Sequence, residues 1–315
     1  MFLGTPDFAV PSLQALMREH EVCAVFTQPD RPSGRGQKLQ APPIKQVAEA
    51  AGLRVHQPEK VRNPENRPLF EAYHPDCIVV VAYGQILPGW LLQIPKLGCV
   101  NVHGSLLPKY RGAAPIQWSI IRGDRVTGIT TMRMDENLDT GPMLLKKEVE
   151  IPPEMSAGQL AEELAQIGAA LLMQTLEGLE NGAIPATPQD DTQATLAPRI
   201  SKENACIQWD SDPETIHNLI RGLNPWPLAW TDWRETRVQI LRSSPPDESR
   251  VQGHPPGTFW GTSGAGMKVV CGEGRVLEIL EVLPAGKKKI SGREYASGSR
   301  LKPGDLLPSC RQKSQ

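Results

Sequence analysis

Cys77-Ile-Val-Val-Val81 and Cys99-Val-Asn-Val102 are two short apolar runs, and the stretch between them, Leu87 to Leu92, has a helical pattern. The same rhythm extends upstream, where Val22-Cys-Ala-Val-Phe26 precedes a helical pattern from Ile44 to Ala51, and downstream, where Ala114 to Ile121 follows the second run. Strand-sized runs alternating with helices predict a Rossmann-like α/β domain with a mostly parallel sheet. Met1-Phe2-Leu3 reads as the end of a first strand, and Gly4-Thr-Pro-Asp7 as the turn into a helix from about Phe8 to Arg18. Three residues make a short strand, which raises the expectation of a start upstream or of a truncated chain.

Further along, Val126 to Met134 and Met143 to Ile151 read as strands, and an amphipathic helix spans about Ser156 to Leu179. Leu160, Leu164, Ile167, Leu171, Leu172 and Leu176 recur near helical spacing, and Asn181-Gly182 is a stop signal. The following Ala183 to Pro198 holds Pro185, Pro188, Asp190, Asp191 and Thr192 without periodicity, so it reads as a linker. The expected division is an α/β catalytic domain over 1–182, a linker over 183–201 and a second domain over 202–315. That second domain opens with a helix from about Asp212 to Gly222 and continues in short strands such as Val238 to Leu241, Met267 to Cys271 and Val276 to Val282. Short strands with frequent turns predict a small β-barrel of the oligonucleotide-binding type.

A chain of 315 residues accommodates two such domains, and 39% hydrophobic with 22% charged residues is ordinary globular composition. No apolar run approaches the roughly 20 residues of a membrane helix. Met1 leads almost at once into Gly4-Thr5-Pro6 without the basic and apolar segments of a leader, so the cytosol is the expected compartment. Cys23, Cys77, Cys99, Cys206, Cys271 and Cys310 include no close C-x-x-C pair, so no metal is assigned, and the cysteines near strands read as buried thiols. Net charge is −1, against a protein that coats nucleic acid, yet from Gly286 onward eight basic residues face two acidic ones.

The densest polar cluster, Asn101-Val-His-Gly-Ser-Leu-Leu-Pro-Lys-Tyr-Arg-Gly-Ala-Ala-Pro115, follows the second buried-looking strand. Ligands of open α/β sheets bind at the carboxyl ends of strands, so position alone marks this loop. Asn101 and His103 stand two apart in an extended segment and share a face. An amide and an imidazole so placed can hold a carbonyl oxygen as it becomes an alkoxide. The plainer alternative is an Asn and a His closing a strand on their own backbone. Gly104 allows close approach of a ligand, and Ser105-Leu-Leu-Pro108 offers backbone polar groups beside an apolar wall, which suits a flat heteroaromatic ligand.

This cluster resembles the signature of the folate-dependent formyltransferases. The likeness continues through Leu138-Asp-Thr-Gly141, Gly4-Thr-Pro-Asp-Phe8, Phe26-Thr-Gln-Pro-Asp-Arg-Pro32, Val81-Ala-Tyr-Gly-Gln-Ile-Leu-Pro88, Asn224-Pro-Trp-Pro227 and Pro284-Ala-Gly-Lys-Lys288, which together are similar to the methionyl-tRNA formyltransferases. The resemblance fades after about Gly292. It implies a catalytic set of Asn101, His103 and Asp139, with 10-formyltetrahydrofolate as formyl donor, initiator methionyl-tRNA as acceptor, and a monomeric chain free of membrane and metal. Asp135, four residues before Asp139, lies outside the motif and reads as a solvated turn residue. Ser105, Leu106, Leu107 and Pro108 are the expected folate-binding residues, with Tyr83 and Gly84 beside them; Tyr83 equally suits a core aromatic.

Thr27 to Pro43 is long for a βα connection, which usually takes two to six residues, and it carries Arg31, Arg35 and Lys38. The matching insertion of the family enters the acceptor stem, which makes these basic residues expected tRNA contacts, although a solvated loop has the same composition. Lys287, Lys288 and Lys289 add a second basic patch, read as a phosphate track if the barrel binds RNA. Asn224-Pro-Trp-Pro227 with Trp230 and Trp233 reads as a packing seam before a stacking platform.

Other readings remain open at this stage. The Asn/His/Asp set does not name its acceptor, so an enzyme acting on a nucleotide amino sugar or purine precursor, or one hydrolysing formylfolate, would carry it too. A dinucleotide-dependent oxidoreductase needs a Gly-x-Gly-x-x-Gly turn that Gly4-Thr-Pro-Asp-Phe-Ala9 lacks. A non-catalytic tRNA-binding protein would keep the basic loop and barrel but has no use for Asn101, His103 and Asp139.

Overall fold

The computed structural model describes residues 1–33, 38–234 and 236–309, and the chain divides into two compact units. The first comprises Met1–Pro115, Val126–Val149 and Ala161–Pro198, and the second Ile116–Arg125, Glu150–Leu160 and Arg199–Gln315.

In chain order the elements begin with strand β1 (Phe2–Gly4), helix α1 (Val10–Glu19), β2 (Val25–Phe26), the hairpin β3 (Arg31–Ser33) and β4 (Lys38–Gln40), α2 (Pro43–Ala50), β5 (Val55–His56) and α3 (Arg67–Glu71). They continue with β6 (Ile78–Val81), α4 (Gly89–Leu92), β7 (Cys99–His103), β8 (Arg111–Gly112), α5 (Pro115–Ile121), β9 (Val126–Arg133), β10 (Met143–Glu150), α6 (Ala157–Glu180) and β11 (Leu196–Ala197). The main sheet of the first unit has the order β10-β9-β7-β6-β1-β2-β5. From β7 to β5 the neighbours are parallel, and β9 runs antiparallel to β7. Every residue of β6 and β7 is buried, the requirement of a strand covered on both faces, which is why β6 is apolar throughout instead of alternating and why β7 departs from that only at Asn101 and His103. Chain order reverses direction at β1, so the carboxyl ends of β1, β6 and β7 form the crevice where such sheets bind ligands.

The helices follow local rules. α1, α2 and α3 each have proline in the first turn, where its fixed φ fits and its missing N–H costs nothing. A reciprocal cap opens α6: the Ser156 hydroxyl accepts from Gln159 N–H at 3.4 Å while the Gln159 side chain accepts from Ser156 N–H at 3.0 Å. Leu160, Leu164 and Leu172 of α6 are fully buried. The helical pattern expected over Leu87 to Leu92 is a single turn, because Pro88 lies just ahead of it and the chain leaves towards β7 after Leu92. The core between sheet and helices includes Leu3, Phe26, Phe70, Ile78, Val80 and Leu91, with the Phe26 and Phe70 rings stacked at 4.0 Å.

The segment expected to be a linker has a different fate. Residues up to Pro198 belong to the first unit, where β11 pairs in parallel with β8 and Thr187 bridges Met143. Sequence periodicity misses it because two-residue strands and side-chain bonds leave no period to detect.

In the second unit, α7 (Pro213–Gly222) is capped by Asp212, which accepts from Glu214 N–H, and is followed by β12 (Ala229–Trp233), β13 (Thr236–Ser243), β14 (Phe259–Ser263), β15 (Gly266–Val270), β16 (Val276–Pro284), β17 (Ile290–Ser291) and α8 (Gly292–Gly298). These strands form an antiparallel six-stranded sheet in the order β12-β13-β16-β15-β14, with β17 on β16. Bulges in β13 and β14 bend it around a core of Trp209, Ile216, Ile220, Val238, Val269 and Leu277. Among the described residues no helix is long and apolar enough to cross a membrane, and no group of three or more His, Cys, Asp or Glu is placed to hold a metal.

Candidate active site

β7 carries the first two site residues. Asn101 pairs across to Met132 and His103 to Thr130 of β9, so both sit at the carboxyl end of the strand and on the same face. Both are nearly buried, at 9% and 5% exposure. The Asn101 amide makes no hydrogen bond to any described residue, and it is not among the sealed unpartnered polar atoms, which leaves its N–H donors free for a ligand.

His103 is held. Its Nε2 donates to the Tyr110 carbonyl at 2.9 Å, since a carbonyl can only accept. Nδ1 therefore turns to Asp139, whose Oδ2 lies 3.7 Å away, too far for a direct hydrogen bond and close enough for an ion pair once the ring is charged. Asp139 Oδ2 also accepts the Gly112 N–H at 2.8 Å, which fixes the carboxylate and leaves Oδ1 without a described partner. Asp139 sits at φ +53°, an uncommon conformation for a side-chain-bearing residue, between the exposed Leu138 and Gly141. A Cβ at Gly141 would lie 1.9 Å from the Arg133 carbonyl, so glycine is what lets the loop return onto β9.

Asp135 is more than a solvated turn residue. Both its carboxylate oxygens accept the Thr140 hydroxyl at 2.8 Å and one accepts the Asn137 N–H, which closes the loop that presents Asp139.

The expected folate-binding residues divide into two groups. Ser105 is sealed, its hydroxyl donating to the Lys109 carbonyl at 2.6 Å and its carbonyl accepting from Thr130 Oγ1 at 2.7 Å. Leu107 is also buried, with its N–H on Thr130 Oγ1 and its carbonyl on the Lys146 ammonium, which burial holds below the usual lysine range. Those two side chains set the loop's shape, and Leu106 and Pro108 remain partly exposed. Tyr83 is a correction: its ring is 1% exposed within the core, and burial pushes its phenol well up. What that turn contributes is backbone, because the Tyr83 carbonyl accepts from Thr5 Oγ1 and Gln28 Nε2, tying the ends of β1, β2 and β6 together. Gly84 is exposed at φ +82°. Beside it Ile86 is 69% exposed, and Leu138 is 54% exposed on the Asp139 loop; these apolar side chains went unremarked in the sequence because exposure leaves no pattern.

Of the basic residues, Arg31 stands on the β3–β4 hairpin and donates to Gln28, while Lys38 begins β4. Arg35 lies outside the described residues. Asp30, at the foot of the hairpin, accepts from Gln57 at 2.7 Å and Lys45 at 2.8 Å, and these bonds hold its carboxyl below the usual range. Lys287, Lys288 and Lys289 are exposed in the turn between β16 and β17, with Lys289 paired to Glu281 at 3.0 Å. Trp230 and Trp233 carry the guanidinium groups of Arg237 and Arg234 over their rings, at 3.5 Å and 5.0 Å from the centroids.

The former linker supplies residues that sequence reading passed over. The Gln189 side chain donates to the carbonyls of Asp139 and Gly141, both at 2.8 Å, and accepts from Arg111 at 3.0 and 2.8 Å. Arg111 further pairs with Asp191 at 2.7 Å, and Thr195 Oγ1 accepts the Tyr110 N–H at 2.9 Å. Gly112 runs against β11 at φ +123°, and a Cβ there would lie 2.7 Å from the Ala197 carbonyl.

Residues 1–176 match the formyl transferase family and residues 199–300 the formyl transferase C-terminal domain. The chain is 50% identical over 308 residues to a methionyl-tRNA formyltransferase of Trichlorobacter lovleyi, covering 98% of this chain and 96% of that one. To the same enzyme of Acetivibrio thermocellus it is 46% identical, covering 98% of each. Among solved structures, the sugar 3N-formyl transferase WlaRD, with dTDP and 5-N-formyl-THF, shares the fold at TM-score 0.65 and 15% identity over 91% of this chain and 97% of that one. The N-formyltransferase of Helicobacter canadensis, with folinic acid and dTDP-3-aminofucose, does so at TM-score 0.64 and 18% identity over 88% and 97%.

Proposed function

The chain belongs to the formyl transferase family, and from that premise we propose that it transfers a formyl group from 10-formyltetrahydrofolate to the amino group of initiator methionyl-tRNA. The observation that carries the chemistry is the free amide of Asn101 beside a His103 whose Nδ1 faces the Asp139 carboxylate at 3.7 Å.

Formyl transfer to an amine forms an N–C bond, passes through a tetrahedral oxyanion, and breaks the bond to the folate nitrogen, which must take up a proton. Asn101 donates an N–H to the formyl oxygen as negative charge develops on it. His103, with Nε2 spent on the Tyr110 carbonyl, uses protonated Nδ1 as the second donor. Asp139 accepts the proton lost by the amine on its free Oδ1, directly or through water, and the proton passes by way of His103 to the leaving nitrogen, so the proton count closes. The folate lies along Leu106, Pro108 and Gly84 with the backbone of Ser105 and Leu107, and Ile86 and Leu138 form an apolar lip suited to a flat ring.

The acceptor is held by charge. Arg31, Arg35 and Lys38 in the long connection after β2, and Lys287, Lys288 and Lys289 of the β16–β17 turn, track phosphates, which sets the register and orientation of the tRNA. In this reading the first unit, with the stretch up to Pro198 included, is catalytic and the second, which holds Arg199–Gln315, binds the tRNA, and the protein acts in the cytosol as a monomer. The deciding assay offers labelled 10-formyltetrahydrofolate with charged initiator tRNA, elongator methionyl-tRNA, or a nucleotide-linked amino sugar. Transfer to the initiator species in strong preference is expected; transfer to the sugar alone, or tRNA binding without transfer, overturns the reading.

A further inference from the structure

The segment 187–197 fastens the stretch whose backbone holds the catalytic pair. His103 hangs on the Tyr110 carbonyl and Asp139 on the Gly112 N–H, so the short stretch 110–112 sets both. That stretch is in turn fastened at four points: Tyr110 N–H to the Thr195 hydroxyl, Arg111 N–H to the Thr195 carbonyl, the Arg111 guanidinium to Gln189 and Asp191, and the β8–β11 pairing. Gln189 alone of these side chains also reaches the Asp139 loop itself, where its amide N–H groups satisfy the carbonyls of Asp139 and Gly141. Its oxygen takes two N–H groups from the nearly buried Arg111, so all of the amide is engaged.

We propose that Gln189 is a positioning residue for Asp139, clamping the carboxylate-bearing loop to the 110–112 strand that orients His103. Asp139 is at φ +53° and its distance to His103 Nδ1 is already 3.7 Å. A conformation of this kind persists only where its surroundings over-determine it, and Gln189 bonds the carbonyls on both sides of the turn. Loosening such a group by an ångström costs on the order of a hundredfold in rate without weakening substrate binding to match. The proposal rests on the formyl-transfer reading for its kinetic arm only.

The experiment compares wild type, Gln189→Met, Asp139→Asn and the double variant, with Gln189→Glu as a second probe that keeps an acceptor for Arg111 but sets an oxygen against the two carbonyls. Melting curves confirm that each is folded. Gln189→Met is expected to lower kcat by about tenfold to a hundredfold with KM for both substrates within about twofold, and to cause no further loss in the Asp139→Asn background, as residues acting through one another are non-additive. The imidazole 15N shifts of His103 should move in Gln189→Met towards those of Asp139→Asn, with the His217 shifts as unmoved control. Unchanged kcat, an equal loss in both backgrounds, or unmoved His103 shifts overturns the proposal. A wild-type protein that transfers no formyl group sinks the proposed function instead, and the His103 shifts then decide the positioning role by themselves.

Discussion

At the end of β7 the Asn101 amide has no hydrogen-bond partner among the described residues, and that makes its expected contribution simple to measure. Loss of one donor to a developing oxyanion costs about 3 kcal/mol, so Asn101→Ala should lose on the order of a hundredfold in kcat while the melting temperature stays close to wild type, since no internal bond is broken. Near-normal turnover would remove Asn101 from the mechanism. Asp139→Asn differs in kind: the amide can still sit against Gly112 but cannot take a proton, so the base-dependent limb of the pH–rate profile should vanish. A preserved limb would assign the base elsewhere. Asn101 stood out in the sequence as an amide two residues from His103 in a dense polar cluster after a strand, whereas Asp139 was marked only by the family resemblance of Leu138-Asp-Thr-Gly141, because an Asp before Thr-Gly also occurs in plain turns. Tyr83 was not legible, because an aromatic after a buried strand serves a core and a ligand equally well, and only burial decides between them.

At the scale of elements, strands β6 and β7 and helix α6 were predictable from runs and spacing, since burial on two faces or on one stripe dictates composition directly. β8 and β11 were not: two residues each, they are defined by pairing with one another across more than eighty positions. The turn between β16 and β17 illustrates a third case, in which composition was read correctly but its partners were hidden. Lys289 is paired with Glu281, whereas Lys287 and Lys288 make no ion pair among the described residues. Each phosphate contact contributes roughly 0.7 to 0.9 to the slope of log affinity against log salt, so Lys287→Ala with Lys288→Ala should flatten that slope for tRNA by about 1.5. Adding Lys289→Ala should change it by less than either of the others, because that ammonium must leave Glu281 to meet a phosphate. An unaltered slope in the double variant would exclude this turn from the tRNA interface.

For the whole molecule, stability on the acid side is expected to depend on His56 in the first unit, which burial also holds below the ordinary histidine range, and on His217 in the second. The His217 Nε2 donates to the Pro153 carbonyl and its Nδ1 accepts from Ser243, a pattern that uses the neutral ring completely. Burial, with the Arg221 charge beside it, holds this histidine below its ordinary 6.5, against the opposing Pro153 bond and Glu154. The unfolded chain therefore binds a proton that the folded one refuses as pH falls through 6.5, and stability declines on that side. His217→Gln should flatten the fall in melting temperature between about pH 6.5 and 5, where model carboxylates are still largely ionised; a slope equal to wild type would exonerate the group. The amino-acid order by itself determined the α/β architecture of the first domain, the many short strands of the second, and the polar cluster after β7 proposed to perform the reaction, because periodicity and side-chain chemistry are local properties. Tertiary structure alone decided that an aperiodic stretch after α6 returns to grip the catalytic loops, and that His103 presents Nδ1 and not Nε2, because both depend on backbone groups brought together from distant parts of the chain.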